Sequence, residues 1–441
     1  MAGSRRAPRR PAVAGDAYVD GEEAASILGV RRETLYAYAS RGLVRRTPIP
    51  GRRAMAYLRE DLERLRARAA ARSGHGPVAG GALRFGEPVL ATSITAIEPG
   101  GPLYRGALAV DLASGGTPYE AVAERLWGAP AEEIAASAPW SVDDDAIPPP
   151  LADLARHVPE GARPIDVMGV ALPWLALADP GRHAATATAE RARARRLLPA
   201  IAALLSLGAS PDRLVVARRE VGFARIATVA LGGRTATRAV VRSVERALVL
   251  VADHELNASA FAARVAAGTG ADLHACLAAA VATASGPAHG TAADRVLALV
   301  DEVVAAGGDA AAARVVVARR TARGDAMPGF GHVLYPAGDP RATPLLEEAR
   351  GRSAGREAAA LLALIDVMAA RREHPTVDAG LVALVLSLSL PRAAASGLFV
   401  LGRTAGWVAH VLEQRAAGTL LRPRARYVGD AGPGGASTAV G

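Results

Sequence analysis

The chain has 441 residues, of which 51% are hydrophobic, and its formal net charge is +9. This length suggests about two to four domains with sizeable cores, and the single cysteine, Cys276, excludes an internal disulfide and a thiolate metal cage. The N-terminus lacks a signal-peptide core, and the longest apolar runs, near 197–209 and 379–390, are shorter than the ~18 residues of a membrane span. We therefore expect a soluble, cytoplasmic protein.

The positive charge is concentrated at the N-terminus. Residues 1–80 contain 16 arginines and 8 acidic residues, which leaves the remainder of the chain nearly neutral. A basic head on a neutral body is typical of a segment that meets a polyanion.

The head contains the pattern of two short helices around a tight turn, in "YVDGEEAASILGVRRETLYAYASRGLV". The first helix has an apolar face and ends at Gly29, where a left-handed residue is needed. The second is predicted from about Arg31 to Ser40, with Leu35 pointing inward. A Pro/Gly turn, the strand-like "AMAYL" and a new helix from about Arg59 follow.

This order resembles the winged helix-turn-helix head of the mercury-resistance-regulator (MerR) and excisionase-like families, and we assign residues 1–70 to it. The resemblance implies that the second helix enters the major groove of DNA and that the wing holds phosphates. The candidate DNA-binding residues are Arg31, Arg32, Thr34, Tyr36, Arg52 and Arg53. Alternatively, these arginines form the solvated face of an adaptor that binds protein.

A Gly-rich segment predicts a linker over 71–83, and the body beyond it is predicted to be mainly α-helical. Apolar residues recur at intervals of three and four from Val240 to Val251, which indicates one buried helix face. The stretches 294–306, 355–372 and 379–401 behave likewise. Neither a run of alternating strands nor a Gly-rich phosphate loop is evident, so a site must be built from helix ends and loops.

Three helix-breaking loops carry candidate chemistry. They are "GPAHG" with His289, "GFGHVLYPAGDPRA" with His332 and Arg341, and "REHPTVDAG" with Asp378. A carboxylate base can remove a weakly acidic C–H proton if a neighbouring group stabilises the enolate. Imidazoles can hydrogen-bond that enolate and protonate a carbonyl under attack, and arginine clamps a carboxylate. No HExxH motif or cysteine pair is present, so we expect no metal site.

These segments, taken in order, resemble the citrate synthase family over roughly 84–430. The others are "LYRGALAVDLA", "VADHELNAS", "GRTAGWVAH" and "LRPRARYVG". The resemblance implies a two-domain helical body that works as a homodimer. Its large domain would comprise 84–294 and 396–441, and its small domain 295–395.

The resemblance also implies roles for individual residues. Asp378 would take a methyl proton from acetyl-CoA, His289 would stabilise the enol, and His332 would protonate the new alkoxide. The oxaloacetate ligands would be His254, Arg341, Arg403 and Arg422, the last reaching the site of the partner subunit. Acetyl-CoA would be a substrate, and no bound cofactor is implied.

Some residues depart from the family's pattern, and alternatives stay open. Val333 and Pro336 stand where two basic groups are usual, and these would ordinarily meet coenzyme phosphates. Propionyl-CoA, giving 2-methylcitrate, is a second substrate choice. A transcription regulator whose body senses a metabolite without turnover is a different class of function. Taken alone, Asp378 could be a helix N-cap, and His254 a core histidine.

Overall fold

The chain divides into two compact units, Met1–Ala91 with Pro423–Gly441, and Thr92–Arg422. The computed structural model describes residues 18–40, 43–49, 54–59, 61–63, 65, 90–149, 157–233, 236–352 and 355–423. The predicted linker, 71–83, lies outside these ranges. The predicted small domain, 295–395, and most of the predicted large domain fall within the second unit, and the division between them stays a prediction.

The first unit combines two short helices with a small antiparallel sheet. The helices are α1 (Gly21–Leu28) and α2 (Arg32–Ser40), and the strands are β1 (Tyr18–Val19), β2 (Arg46–Pro48) and β3 (Met55–Leu58), in the order β1-β3-β2. Helix α1 begins at Asp20, whose carboxylate accepts hydrogen bonds from the backbone of Glu22 and Glu23. It ends at Gly29 with a φ of 64°, so the predicted left-handed cap is confirmed.

A small core holds this unit together. Leu35 of α2 is buried against Val19, Val44 and Tyr57, as the inward position of Leu35 predicted. Arg31, Arg32 and Tyr36 are exposed and Thr34 is half-buried, whereas Arg52 and Arg53 lie outside the described residues.

The second unit is mainly helical. Its first helices are α3 (Ala109–Ser114), α4 (Tyr119–Leu126), α5 (Ala131–Ala135), α6 (Pro164–Ala178), α7 (Ala187–Leu204), α8 (Pro211–Ala217), α9 (Phe223–Ala230) and α10 (Arg238–Leu250). Those that follow are α11 (Ala258–Gly268), α12 (Leu273–Ala284), α13 (Ala292–Ala305), α14 (Ala310–Arg323), α15 (Ala342–Arg350), α16 (Arg356–Ala369), α17 (Val377–Ser387) and α18 (Ala394–Ala417). No helix in the described ranges is long and apolar enough to cross a membrane.

Two features of this unit differ from the prediction. A three-stranded antiparallel sheet, β4 (Thr95–Glu98), β5 (Gly101–Tyr104) and β6 (Ala107–Leu108), precedes the helices. Strands of two to four residues are too short for an alternating pattern to be recognised. The apolar stretch 379–401 forms two helices, because the chain turns at Ser389 (φ 55°) and Pro391 cannot continue an α-helix.

Helix α18 forms the centre of the core and sets the position of the loop that follows α10. Nearly all of its residues are buried, including Gly402 and Gly406. A Cβ at Gly406 would lie 2.2 Å from Oδ1 of Asp253, and one at Gly402 would lie 2.4 Å from Cγ2 of Val251. Segment 251–253 therefore packs directly on the backbone of α18, which is possible only with glycine at these positions.

Candidate active site

The structure brings His254, His332 and Arg341 together, although they lie on separate segments. The ring centroids of His254 and His332 are 5.4 Å apart, in an edge-to-face arrangement. Burial lowers the pKa of His254 well below its usual range, and the charges of Arg341 and Arg403 lower it further. His254 is therefore a neutral side chain in a positively charged pocket, beside two guanidinium groups.

Tyr335 is a further member of this cluster. Its hydroxyl lies 3.1 Å from Nε2 of His254, and the guanidinium carbon of Arg341 lies 5.6 Å from its ring centroid. No sequence pattern marked Tyr335 as a site residue, although it belongs to the quoted "GHVLYP" segment. Its contacts explain how an imidazole is held at this position without a carboxylate partner.

His332 is held in one tautomer by its own loop. The backbone N–H of Leu334 donates to Nδ1 of His332 at 3.1 Å, so the proton of the neutral ring is on Nε2. Burial and Arg341 lower the pKa of His332, while Asp339 raises it. The ring is therefore a neutral donor through Nε2 at physiological pH.

Backbone hydrogen bonds connect the His332 loop to the start of α17. Gly331 N–H donates to the carbonyl of His374 at 2.9 Å, and Thr376 N–H donates to the carbonyl of Gly329 at 2.8 Å. Gly329 has a φ of 87°, and a Cβ there would lie 2.8 Å from Val296. Glycine is therefore required for the loop to lie this close to the helices.

Asp339 fixes Arg341 and the first turn of α17 at the same time. Its carboxylate accepts from Nε and Nη2 of Arg341 at 2.9 and 2.8 Å, and from the backbone N–H of Val377 at 3.0 Å. Burial raises the pKa of Asp339, but Arg341 and these hydrogen bonds hold it below its usual value. Sequence reasoning missed this role, although an acid two residues before Arg341 was a visible signal.

Asp378 is the second residue of α17 and is not its N-cap. The cap position belongs to Thr376, whose side chain makes no capping hydrogen bond and instead donates to Oδ2 of Asp378 at 3.3 Å. Burial raises the pKa of Asp378, Arg341 opposes this shift, and Asp339 reinforces it. The half-buried carboxyl thus has the raised pKa that a general base needs.

His289 lies at the end of a hydrogen-bonded chain of side chains. Its Nε2 is 2.7 Å from Oγ of Ser259, which also accepts from Nε1 of Trp407 at 3.0 Å and lies 2.7 Å from Oδ1 of Asn257. Ser259 donates its single hydroxyl proton to Asn257, so Nε2 of His289 is the donor in the hydrogen bond between His289 and Ser259. Burial and the charge of Arg403 lower the pKa of His289 to about 4, so the ring is neutral near pH 7.

Arg403 is buried, and its Nε and Nη1 have no hydrogen-bond partner in the part of the chain that the structure describes. Its guanidinium carbon lies 4.9 Å from the ring centroid of Phe399, on the preceding turn of α18. Burial lowers the pKa of Arg403, and Asp253 opposes that shift. Such donors are stable in a protein interior when an anion completes them, so they form a ready binding position for a carboxylate.

Asp253 and His410 form a second buried pair behind this position. Nε2 of His410 lies 3.4 Å from Oδ1 of Asp253, and both side chains are fully buried. Burial raises the pKa of Asp253, but His410 and Arg403 hold it below its usual value. The Asp253 carboxylate that His410 faces also lies near Arg403.

Arg422 is not part of the cluster in the single chain. It is exposed in the last described segment, and among the described residues no hydrogen bond or ion pair connects it to the site. Its assignment to the partner subunit's site stays a prediction. No group of three or more histidine, cysteine or acidic side chains in the described ranges could hold a metal ion.

Comparisons with known proteins were made for the whole chain. Residues 84–424 match the family model "Citrate synthase, C-terminal domain", so the match does not include the N-terminal head. The 2-methylcitrate synthase of Mycobacterium tuberculosis is 29% identical over 338 residues, which cover 74% of this chain and 84% of that protein. A second M. tuberculosis protein, named citrate synthase 2, is 41% identical over 196 residues. The match spans only 52% of the length of that protein.

Two solved structures that resemble this chain are also citrate synthases. The crystal structure of citrate synthase from Thermotoga maritima superposes with a TM-score of 0.64 at 25% identity, covering 78% of this chain and 94% of that one. The Thermoplasma acidophilum citrate synthase, solved with carboxymethyl coenzyme A and oxaloacetate, superposes with a TM-score of 0.66 at 24% identity and shares the fold. It covers 82% of this chain and 98% of that one. The chain therefore belongs to the citrate synthase family.

Proposed function

We propose that the chain condenses acetyl-CoA with oxaloacetate to give citrate and CoA. The buried, unpartnered guanidinium of Arg403 beside the imidazole and arginine cluster carries this proposal. A keto-diacid supplies two carboxylates for such cations and a carbonyl for a neutral imidazole donor. The single buried cysteine favours a cytoplasmic enzyme.

The reaction begins with the removal of a proton. Asp378 takes a proton from the methyl carbon of acetyl-CoA, and His289 donates a hydrogen bond to the thioester oxygen, which becomes the enol oxygen. A neutral imidazole suits this step, because its weak acidity matches that of the enol. For Nδ1 of His289 to donate this bond, the Ser259 hydroxyl must turn its proton from Asn257 to Nε2 of His289.

Carbon–carbon bond formation follows. The enol carbon attacks the carbonyl carbon of oxaloacetate, and Nε2–H of His332 gives its proton to the resulting alkoxide. His254, Arg341 and Arg403 orient the diacid, and Arg422 of the partner subunit completes the set. Water then cleaves the thioester bond of citryl-CoA, which yields citrate and the CoA thiol.

The test follows release of the CoA thiol with a thiol-reactive dye in the presence of oxaloacetate and acetyl-CoA. We expect turnover, and we expect Asp378→Asn to lower kcat by about 10³-fold because an amide cannot accept the proton. The circular dichroism spectrum of Asp378→Asn should match that of the unchanged chain. Full turnover by Asp378→Asn would remove Asp378 as the base.

Propionyl-CoA is a second candidate substrate. The support is the similarity to a 2-methylcitrate synthase, 84% of whose length is covered by the match. The same assay distinguishes the two acyl donors by their kcat/KM values. A higher kcat/KM for propionyl-CoA would assign the chain to 2-methylcitrate formation with the same residues in the same roles.

We further propose that the body is a homodimer. Val170, Trp174 and Leu177 lie on one side of α6, at intervals of four and three residues, and all three are exposed in the single chain. An exposed apolar helix face of this kind is typical of a surface that is buried in an assembly. A dimer would also allow Arg422 to reach a second site.

For the head, we propose duplex DNA as the partner. The support is the excess of arginine over residues 1–80 and the exposure of Arg31, Arg32 and Tyr36 at the start of α2. Fluorescence anisotropy of labelled duplexes with the full chain should show binding that weakens as salt rises, because phosphate contacts release counterions. Arg32→Gln should weaken binding, whereas Arg219→Gln, at an exposed position in the second unit, should not.

The salt series also separates the alternatives. Binding that is absent or insensitive to salt would favour the protein-adaptor interpretation of the head. Absence of thiol release with either acyl-CoA, combined with metabolite-dependent DNA binding, would favour a regulator.

A further inference from the structure

A polar cavity lies between α10 and α15, apart from the residues assigned to the proposed reaction. Its volume is about 260 Å³, and it is lined by Ala239, Arg242, Ser243, Arg246, Glu348 and Arg352. We name it the α10–α15 pocket. Four of its residues belong to α10, Glu348 belongs to α15, and Arg352 follows α15, so both helices contribute to it.

The charges that line the pocket do not balance. Glu348 accepts from Nη1 of Arg246 at 2.7 Å and from Nη2 of Arg352 at 2.9 Å, and Ser243 also donates to it. Burial raises the pKa of Glu348, but Ser243 and the two arginines hold it below its usual value, so it is ionised at neutral pH. One carboxylate thus faces three guanidinium groups, which leaves two positive charges uncompensated.

Some guanidinium N–H donors of the pocket also lack hydrogen-bond partners among the described residues. Arg242 lies one turn before Arg246 on the same side of α10, and it has no side-chain hydrogen bond or ion pair among the described residues. Nε of Arg246 and Nε of Arg352 are buried and also lack partners there. The ion pairs of Glu348 with Arg246 and Arg352 are sufficient to connect α15 to α10. They do not account for the third guanidinium group, that of Arg242, in the pocket lining.

We propose that the α10–α15 pocket binds a compact oxyanion with two or more negative charges. Arginine forks pair with phosphoryl and carboxylate groups alike. A cavity of 260 Å³ has room for roughly eight waters at ~30 Å³ each, which is enough for pyrophosphate or a tricarboxylate. Binding at this position can be measured without turnover at the proposed active site.

The two helices connect the pocket to the candidate active site. Helix α10 leads into the segment that carries His254, and α15 begins directly after Arg341. An anion that bridges both helices favours the arrangement in which they lie together. We therefore expect bound anion to change the KM for oxaloacetate, an expectation that rests on the proposed function.

The decisive experiment is calorimetric titration of the full chain with inorganic pyrophosphate and, separately, with tricarballylate, at low ionic strength in a phosphate-free buffer. Arg242→Gln should weaken binding about tenfold, because it removes a charge-assisted contact without disturbing the ion pairs of Glu348. Glu348→Gln should tighten binding, because it removes the only negative charge of the lining. Arg219→Gln, with the same change of charge elsewhere, should bind as the unchanged chain does.

Absence of binding by both probes would overturn the proposal. Equal affinity in Arg242→Gln and the unchanged chain, or equal weakening in Arg219→Gln, would overturn the site. Loss of binding in Arg403→Met but not in Arg242→Gln would locate the anion at the active site instead. The preferred probe of the two identifies phosphoryl or carboxylate groups as the natural source. Calorimetric binding with an unchanged KM would overturn the coupling alone.

Discussion

At the scale of single residues, the two buried arginines of the site differ in whether their charge has a partner within the chain. Arg341 is paired with Asp339, whereas Arg403 keeps two donor nitrogens, Nε and Nη1, without a partner in the described part of the chain. Desolvation of an incompletely paired cation costs free energy in the unliganded protein. A bound carboxylate would offset this cost. A binding residue such as Arg403 is therefore completed by the ligand, whereas a structural residue such as Arg341 has its partner within the chain.

Replacement of Arg403 tests this distinction. Arg403→Met keeps an unbranched apolar stem but removes the guanidinium group and its charge, so the KM for oxaloacetate should rise about 100-fold while the KM for acetyl-CoA changes little. The melting temperature should stay the same or rise, because an incompletely paired buried charge is removed. A lower melting temperature with an unchanged KM would show that Arg403 is structural.

The ionisation of Asp378 predicts the pH dependence. The base acts as a carboxylate, so kcat/KM should fall as pH drops through the raised pKa of Asp378. The Thr376 hydroxyl bonds the charged form, so Thr376→Val should raise this pKa and move the acid limb to higher pH. An acid limb that stays in place in Thr376→Val would show that another group titrates. His289, with a pKa of about 4, is neutral near pH 7.

At the scale of elements, two close contacts assemble the site. Segment 251–253 packs on Gly402 and Gly406 of α18, and the Asp339 carboxylate connects the His332 loop to α17. The first contact places His254 and Asp253 near Arg403. The second places Arg341 near Asp378.

Asp339 offers a matched comparison between a buried and an exposed ion pair. Asp339→Asn should lower the free energy of unfolding by about 3 kcal/mol, because it leaves the buried Arg341 charge uncompensated. Asp325→Asn removes an equivalent partner two residues from Arg323 at the surface, and should cost less than about 1 kcal/mol. Denaturant unfolding of both variants measures the difference, and equal losses would contradict the role given to Asp339.

At the scale of the whole molecule, the proposed dimer can be tested at the exposed apolar face of α6. Trp174→Glu introduces a charge into that face, so the variant should elute as a monomer in size-exclusion chromatography with light scattering. Thiol release should fall with it, because Arg422 could not reach a second site. Val315→Glu, at an exposed valine of α14, should remain dimeric. A fully active Trp174→Glu monomer would contradict the shared site.

Local sequence patterns were enough to predict the helical class of the body, the Gly29 cap and the candidate residues, because helix periodicity, glycine conformations and short motifs are local properties. Long-range packing was needed to show that Asp378 follows the cap rather than forming it, that 379–401 is two helices, and that Tyr335 and Ser259 contact His254 and His289. These outcomes depend on contacts such as the one between Ser259 and Trp407, which lie 148 residues apart. Such a contact exists only after α18 has packed against segment 251–259, and no local pattern encodes that packing.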